Sequence, residues 1–256
     1  MIQPNIDIKK LFQKKFILLL NKEPALKELF FNIFIYGTAY VVGGYLRDIL
    51  NEKESRDIDI IIDIENVKLL DILAGLKIDH EKNRHGGIKF KFGTTTVDLW
   101  SLENNWAFKN KLVKLNEKDK LNSIAKGCFF NYDSLVINVH NYSYNTRNYN
   151  DFFKTQTLDI LQKSPIYKNL NPTVEANIIR AFFLKQKLNI EFSQNLTDYL
   201  AKKIASLSDQ YENGLERIIN IKTKYLKYQE LSDDTLSKDI VSFMDENRKS
   251  TNKLFF

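Results

Sequence analysis

Val42-Gly43-Gly44-Tyr45-Leu46-Arg47-Asp48, followed after a short gap by Asp57-Ile58-Asp59, is the most informative stretch of this chain. The apolar run from Ala39 to Val42 reads as a short strand that stops at the glycine pair, and residues 45–50 read as a helix. Two glycines at such a turn let a ligand come close to the main chain. The start of the helix then offers unpaired N–H groups to phosphate, and Arg47 can add a charged fork. Residues 56–63 read as a second strand with Ile58, Ile60, Ile61 and Ile62 as its body. Asp57 and Asp59 are two apart on it, so both carboxylates point to one face. Carboxylates that close repel unless a divalent cation lies between them, and Mg²⁺ takes oxygen ligands of this kind. Asp98, set among apolar residues in Thr96-Val97-Asp98-Leu99, is the candidate third acid.

On the N-terminal side, residues 7–34 carry apolar positions at helical spacing, broken into two helices at Glu23-Pro24. On the C-terminal side, residues 67–76 predict a crossover helix. Ile88, Phe90 and Phe92 alternate with Lys89 and Lys91, as in a half-buried strand. Gly93 marks a turn, residues 94–99 return as a strand, and residues 135–139 form another. After about residue 155 helical periodicity dominates, over residues 176–188, 196–207 and 215–226. The organisation predicted is a head domain over residues 1–155 and a helical domain over 156–256, with a polar tail at 247–253 that frays.

The chain has 256 residues, 43% hydrophobic and 27% charged, which excludes a disordered protein. A net charge of +6 favours polyanionic partners. One cysteine, Cys128, excludes an internal disulfide, and beside Phe129 and Phe130 it is expected to be a buried packing thiol. No apolar run approaches the ~18 residues of a membrane span. The short run 16–20 is no signal-peptide core, so the expectation is a cytoplasmic protein with no membrane partner.

Residues 40–63 resemble the signature of class II nucleotidyltransferases of the DNA polymerase β superfamily, the tRNA CCA-adding enzymes and bacterial poly(A) polymerases. That signature is a diglycine turn, an Arg-Asp pair and a D-x-D. His85-Gly86-Gly87-Ile88-Lys89-Phe90 and Val97-Asp98-Leu99 are similar to the next two strands of that family, with fainter likeness at 129–135 and at Ile179-Arg180-Ala181, the start of its neck. The resemblance implies a polymerase β-like fold: an α/β head with a small mixed sheet flanked by helices, then an all-α neck. It implies transfer of a nucleoside monophosphate from a nucleoside triphosphate to a hydroxyl, at the 3′ end of tRNA or another RNA. Two Mg²⁺ ions, or Mn²⁺ in their place, would be held by Asp57, Asp59 and Asp98. The nucleotide would be met by Gly43, Gly44, Arg47 and Asp48, and by Arg180 from the second domain. The chain departs from the family at two blocks. Around 127–131 both arginines and the aspartate of an Arg-Arg-Asp-Phe-Thr block are absent. The Glu-Asp-x-x-Arg block that reads base edges falls on Thr173-Val174-Glu175-Ala176-Asn177, without either reader. The chain is also expected to stop soon after the neck, without the family's body and tail.

Two other functions fit the same residues: transfer to a protein or small-molecule hydroxyl, and a catalytically inactive nucleotide- or RNA-binding module. Blander readings stand beside each site residue. The bland alternative for Asp57 and Asp59 is a solvated strand end, for Asp98 a strand-edge acid, and for Arg47 a salt bridge with Asp48 or a helix acid. Arg180 reads as a surface arginine, and Trp100 and Trp106 as core residues. His80, His85 and His140 lack metal-ligand spacing. The lysine-rich stretch 109–126 and the Tyr/Asn-rich stretch 141–150 suit an RNA backbone and single-stranded bases respectively, or a solvated face and a surface loop. Nothing in the sequence fixes the oligomeric state.

Overall fold

The structure, a computed structural model, describes residues 7–55, 57–83, 86–93, 95–162 and 173–253, with residues 248–253 described in backbone only. By its internal contacts the chain forms two compact units, Met1–Lys154 and Thr155–Phe256.

The first unit opens with α1 (Ile8–Lys22), whose first turn is capped by the Asp7 carboxylate, and α2 (Pro24–Tyr36), with proline at its start. Proline there costs no hydrogen bond, because the first helical N–H groups have no partner within the helix. The chain continues through β1 (Ala39–Val42), α3 (Gly44–Leu50), β2 (Asp57–Ile62), α4 (Asn66–Gly75), β3 (Glu81–Lys82), β4 (Ile88–Phe92) and β5 (Thr95–Ser101). It ends in α5 (Trp106–Lys109), α6 (Lys120–Lys126), β6 (Val136–Asn138), β7 (Tyr144–Asn145) and α7 (Arg147–Thr155). The strands make one seven-stranded mixed sheet in the order β3-β4-β5-β2-β1-β6-β7. β2 and β5 run parallel, and the other neighbours are antiparallel. α4 and the β3–β4 ribbon carry the chain across from β2 to β5, as a parallel pair requires.

Strand alternation divides the sheet into two faces. One presents Val41, Ile58, Ile60, Ile62, Val97, Leu99 and Ile137, all buried, to Phe12, Phe16, Leu29, Phe30, Ile33, Leu46 and Leu69 of the helices. The other presents Tyr40, Val42, Ile61 and Val136, which pack with Leu102, Ile124 and Ala125 in a smaller cluster. Asp57, Asp59 and Asp98 alternate onto this second face.

The second unit contains β8 (Thr157–Leu158), α8 (Val174–Leu188), β9 (Glu191–Phe192), α9 (Gln194–Gln210), α10 (Gly214–Lys222) and α11 (Asp233–Lys253). Thr173, Ser193 and Asn213 cap α8, α9 and α10 with side-chain oxygens on first-turn N–H groups. β8 and β9 pair as a short parallel ribbon.

Three expectations are corrected. The tail at 247–253 continues the main chain of α11, which starts with Asp233 and Asp234 at its dipole-favoured end. The stretch 141–150 is no surface loop, since it forms β7 and the start of α7 and buries Tyr149 completely. Cys128 is partly exposed. No described helix is long and apolar enough to cross a membrane.

Candidate active site

Register brings the three acids together. Asp59 on β2 is the direct neighbour of Asp98 on β5, and Asp57 is the neighbour of Thr96. Partners in a parallel pair share a face, so the three carboxylates stand on one patch of sheet, on strands about 5 Å apart. Asp57 is exposed, while Asp59 and Asp98 are half-buried. Their setting follows from the strand pattern: Ile58, Ile60, Val97 and Leu99 turn into the core and force the alternate positions outward.

Val42, next to Asp59 in the β1–β2 register, leads into the diglycine turn. Gly43 has φ +75°, a conformation that side chains rarely adopt. A β-carbon on Gly43 would lie 3.8 Å from Asp59 Oδ2, so turn and carboxylate adjoin. The Gly43 N–H donates to Leu135 O at 2.9 Å, and the helix ladder resumes with Arg47 N–H to Gly43 O. The N–H groups of Gly44, Tyr45 and Leu46 between them are first-turn donors without intrahelical partners. α3 is only seven residues long, so these local donors count for more than a macrodipole.

Arg47 is bound at both edges. Its Nη1 donates to Asp133 Oδ1 at 2.7 Å, while Nε and Nη2 donate to Asp48 Oδ1 at 3.1 and 3.0 Å. The guanidinium also lies over the Tyr132 ring, 4.8 Å from its centre. Asp133 is 12% exposed and Arg47 16%, so this is a sheltered ion pair. It ties the loop before β6 to the helix after the diglycine turn. Asp133 escaped the sequence reading, because no motif singles it out.

Asp98 has two close partners. Lys89 Nζ lies 3.9 Å from its Oδ2, and Asn83 donates a hydrogen bond to it. Burial raises the Asp98 pKa, Lys89 and Asn83 pull it back, and the negative charge of Asp57 raises it further, for a net upward shift. Asn83 is itself fixed, since its Oδ1 accepts the Gly87 N–H at 2.9 Å. Gly87 is required there: an added β-carbon would lie 2.0 Å from Trp100 Nε1. Trp100 thus packs on the turn that carries Asn83, rather than deep in the core. Neither Asn83 nor the Trp100–Gly87 contact carries a signal readable from sequence.

Among the described residues no group of three or more His, Cys, Asp or Glu side chains is gathered as a ready-made metal cage. The donor set nonetheless suits a hard divalent cation: three carboxylates on one open face, two of them close enough to perturb each other's charge. Arg180 belongs to the second unit, partly exposed in the middle of α8. The residues at the base-reading block are built into that unit. Glu175 is buried and accepts from Arg217 Nε at 2.8 Å, and Asn177 is 1% exposed. Of the lysine-rich stretch, Lys120 is paired with Asp63 and Glu117, and its other five lysines are exposed. The His80 ring contacts Ile78 O, the His140 ring packs on Phe34, and His85 lies outside the described residues.

Residues 39–163 match the Poly A polymerase head domain. Among curated proteins none matches in sequence. Among solved structures the chain is similar to an apo form of CCA-adding enzyme, with TM-score 0.62 and 15% identity, over 93% of this chain and 54% of that one. It is similar to the Thermotoga maritima CCA-adding enzyme complexed with tRNA, with TM-score 0.60 and 16% identity, over 93% and 54%. A third is a tRNA nucleotidyltransferase with a primer tRNA and an incoming ATP analogue, with TM-score 0.52 and 17% identity, over 83% and 58%. At such identities the likeness is one of fold. The chain spans about half the length of the solved structures it matches.

Proposed function

We propose that this chain transfers a nucleoside monophosphate from a nucleoside triphosphate to a hydroxyl at the 3′ end of tRNA or another RNA, a reading supported by the match of residues 39–163 to the Poly A polymerase head domain and by the fold shared with CCA-adding enzyme. The observation that carries this reading is the meeting of Asp57, Asp59 and Asp98 on one sheet face beside the diglycine turn. The acceptor hydroxyl attacks the α-phosphorus, a new phosphodiester bond forms, and pyrophosphate leaves. Gly43 and Gly44 give the triphosphate room against the main chain, and the first-turn N–H groups of α3 face its oxygens. Arg47 and Asp48 hold that turn in place through Asp133. Asn83 holds the Asp98 carboxylate by a hydrogen bond. Asp57, Asp59 and Asp98 would hold Mg²⁺ or Mn²⁺, which supplies charge neutralisation at the phosphates and a more acidic attacking hydroxyl. Transfer of this kind depends mainly on positioning and charge. Arg180 is proposed as a nucleotide contact from the second unit. The reducing interior of the cell is the proposed compartment.

A specific observation supports a second reading, with a protein or small-molecule hydroxyl as acceptor. The positions of the base-reading block are consumed by packing in the second unit, Glu175 on Arg217 and Asn177 in the interior. The deciding experiment incubates the protein with each labelled nucleoside triphosphate, Mg²⁺, and either total RNA, protein or a metabolite extract, with Asp59→Ala as control. Label in RNA that disappears in the control supports the first reading, and label confined to another acceptor supports the second. No label anywhere leaves a nucleotide-binding module and rejects both.

A further inference from the structure

Lys89 stands where the acid face meets the protein's own positive charge. It is the register partner of Asp98 across β4 and β5, and strand alternation puts it on the side opposite buried Ile88 and Phe90. The two ends of this ion pair differ in freedom. The Lys89 side chain is 43% exposed and that of Asp98 18%, so the ammonium can swing into solvent while the carboxylate stays. A lysine is a point charge on a flexible stem, and ion pairs at the surface are weak, so its release costs little. Asp98 therefore has one fixed neutral donor, Asn83, and one removable charged partner. Without a cation, three like charges crowd one patch of sheet, and Lys89 is a positive group that offsets the charge of Asp98.

We propose that Lys89 is an exchangeable counterion: its ammonium neutralises Asp98 in the cation-free protein and yields its place when a divalent cation binds at Asp57, Asp59 and Asp98. This rests on the cation site proposed above. Once displaced, the ammonium joins exposed Lys91, two residues along on the same face of β4. Together they form a positive border to the acid patch, suited to the phosphates of the triphosphate or of an RNA backbone.

The test is Mn²⁺ titration, followed by electron paramagnetic resonance of the free ion and without nucleotide, on the full chain. It compares wild type with Lys89→Met, Lys89→Gln and Lys89→Arg, with Asp59→Asn as the control for the site. Removing the competing charge is expected to tighten Mn²⁺ binding roughly three- to tenfold in Lys89→Met, with Lys89→Gln alike and Lys89→Arg near wild type. In a chelator, Lys89→Met should melt several degrees lower than wild type, roughly what a lost offset among like charges is worth, and Mn²⁺ should close that gap. Should Lys89→Met fail to fold, as judged by circular dichroism, Lys89→Gln carries the comparison. Wild-type binding that depends on Asp59, with unchanged or weaker binding in the Lys89 variants, overturns the exchange and leaves the cation site standing. Saturable binding in no protein, or binding indifferent to Asp59→Asn, overturns the cation site and the exchange with it.

Discussion

Arg47 shows how much one side chain can organise. Its guanidinium joins Asp48, Asp133 and the Tyr132 ring, and Asp133 lies 86 residues along the chain. Arg47→Met would leave the Asp133 carboxylate sheltered without its cation, so a loss of about 2–4 kcal/mol is expected from urea unfolding. Arg47→Lys keeps the charge and loses the fork, and should fall between. Tyr45 contributes to the alkaline limit. Burial pushes its phenol up to about 12, while an unfolded tyrosine ionises near 10. Its contribution is complete below about pH 10 and is lost as pH rises toward about 12, some ~2–3 kcal/mol in all. Melting of Tyr45→Phe across that window should decline less steeply than wild type. At the acid patch, Asp59→Asn should cut transfer at least ~100-fold in the labelling assay. The acids were legible in the sequence because alternation on a strand is a strong rule and an acid amid apolar neighbours is conspicuous. Asp133 and Asn83 were not, since their roles depend on which distant segments fold beside them.

At the scale of elements, the turn before β4 is held by a ring. Trp100 of β5 packs on Gly87, and Gly87 fixes Asn83, which reaches Asp98. Gly87→Ala would press a methyl group into the indole and is expected to cost about 1–3 kcal/mol, with a changed tryptophan emission. Trp100→Leu in the same chain should recover part of that loss. Most elements of the first unit could be read from apolar spacing, including the break at Glu23-Pro24 and both strands that bear the acids. α7 and α11 could not. α7 buries Tyr149 and Phe152 among polar residues, and α11 is anchored by Leu236 and Ile240 in a largely polar sequence. Their helical form comes from packing, which a window of sequence does not contain.

For the molecule as a whole, a net charge of +6 bears on the choice of acceptor. If the acceptor is RNA, its binding should weaken at least ~10-fold between about 50 and about 200 mM salt, as displaced counterions compete. Labelling of a neutral small molecule should hardly change over that range. A filter-binding series across salt therefore separates the two readings independently of the nucleotide used.

Asp59 and Asp98 sit side by side only because β2 and β5 have zipped in parallel, after α4, β3 and β4 have been threaded between them. Closing so long a segment is entropically slow, whereas helices form locally and early. In a refolding experiment the ability to capture Mn²⁺ should therefore appear later than the helical circular dichroism signal. A chain halted midway would look well ordered by spectroscopy and be chemically inert.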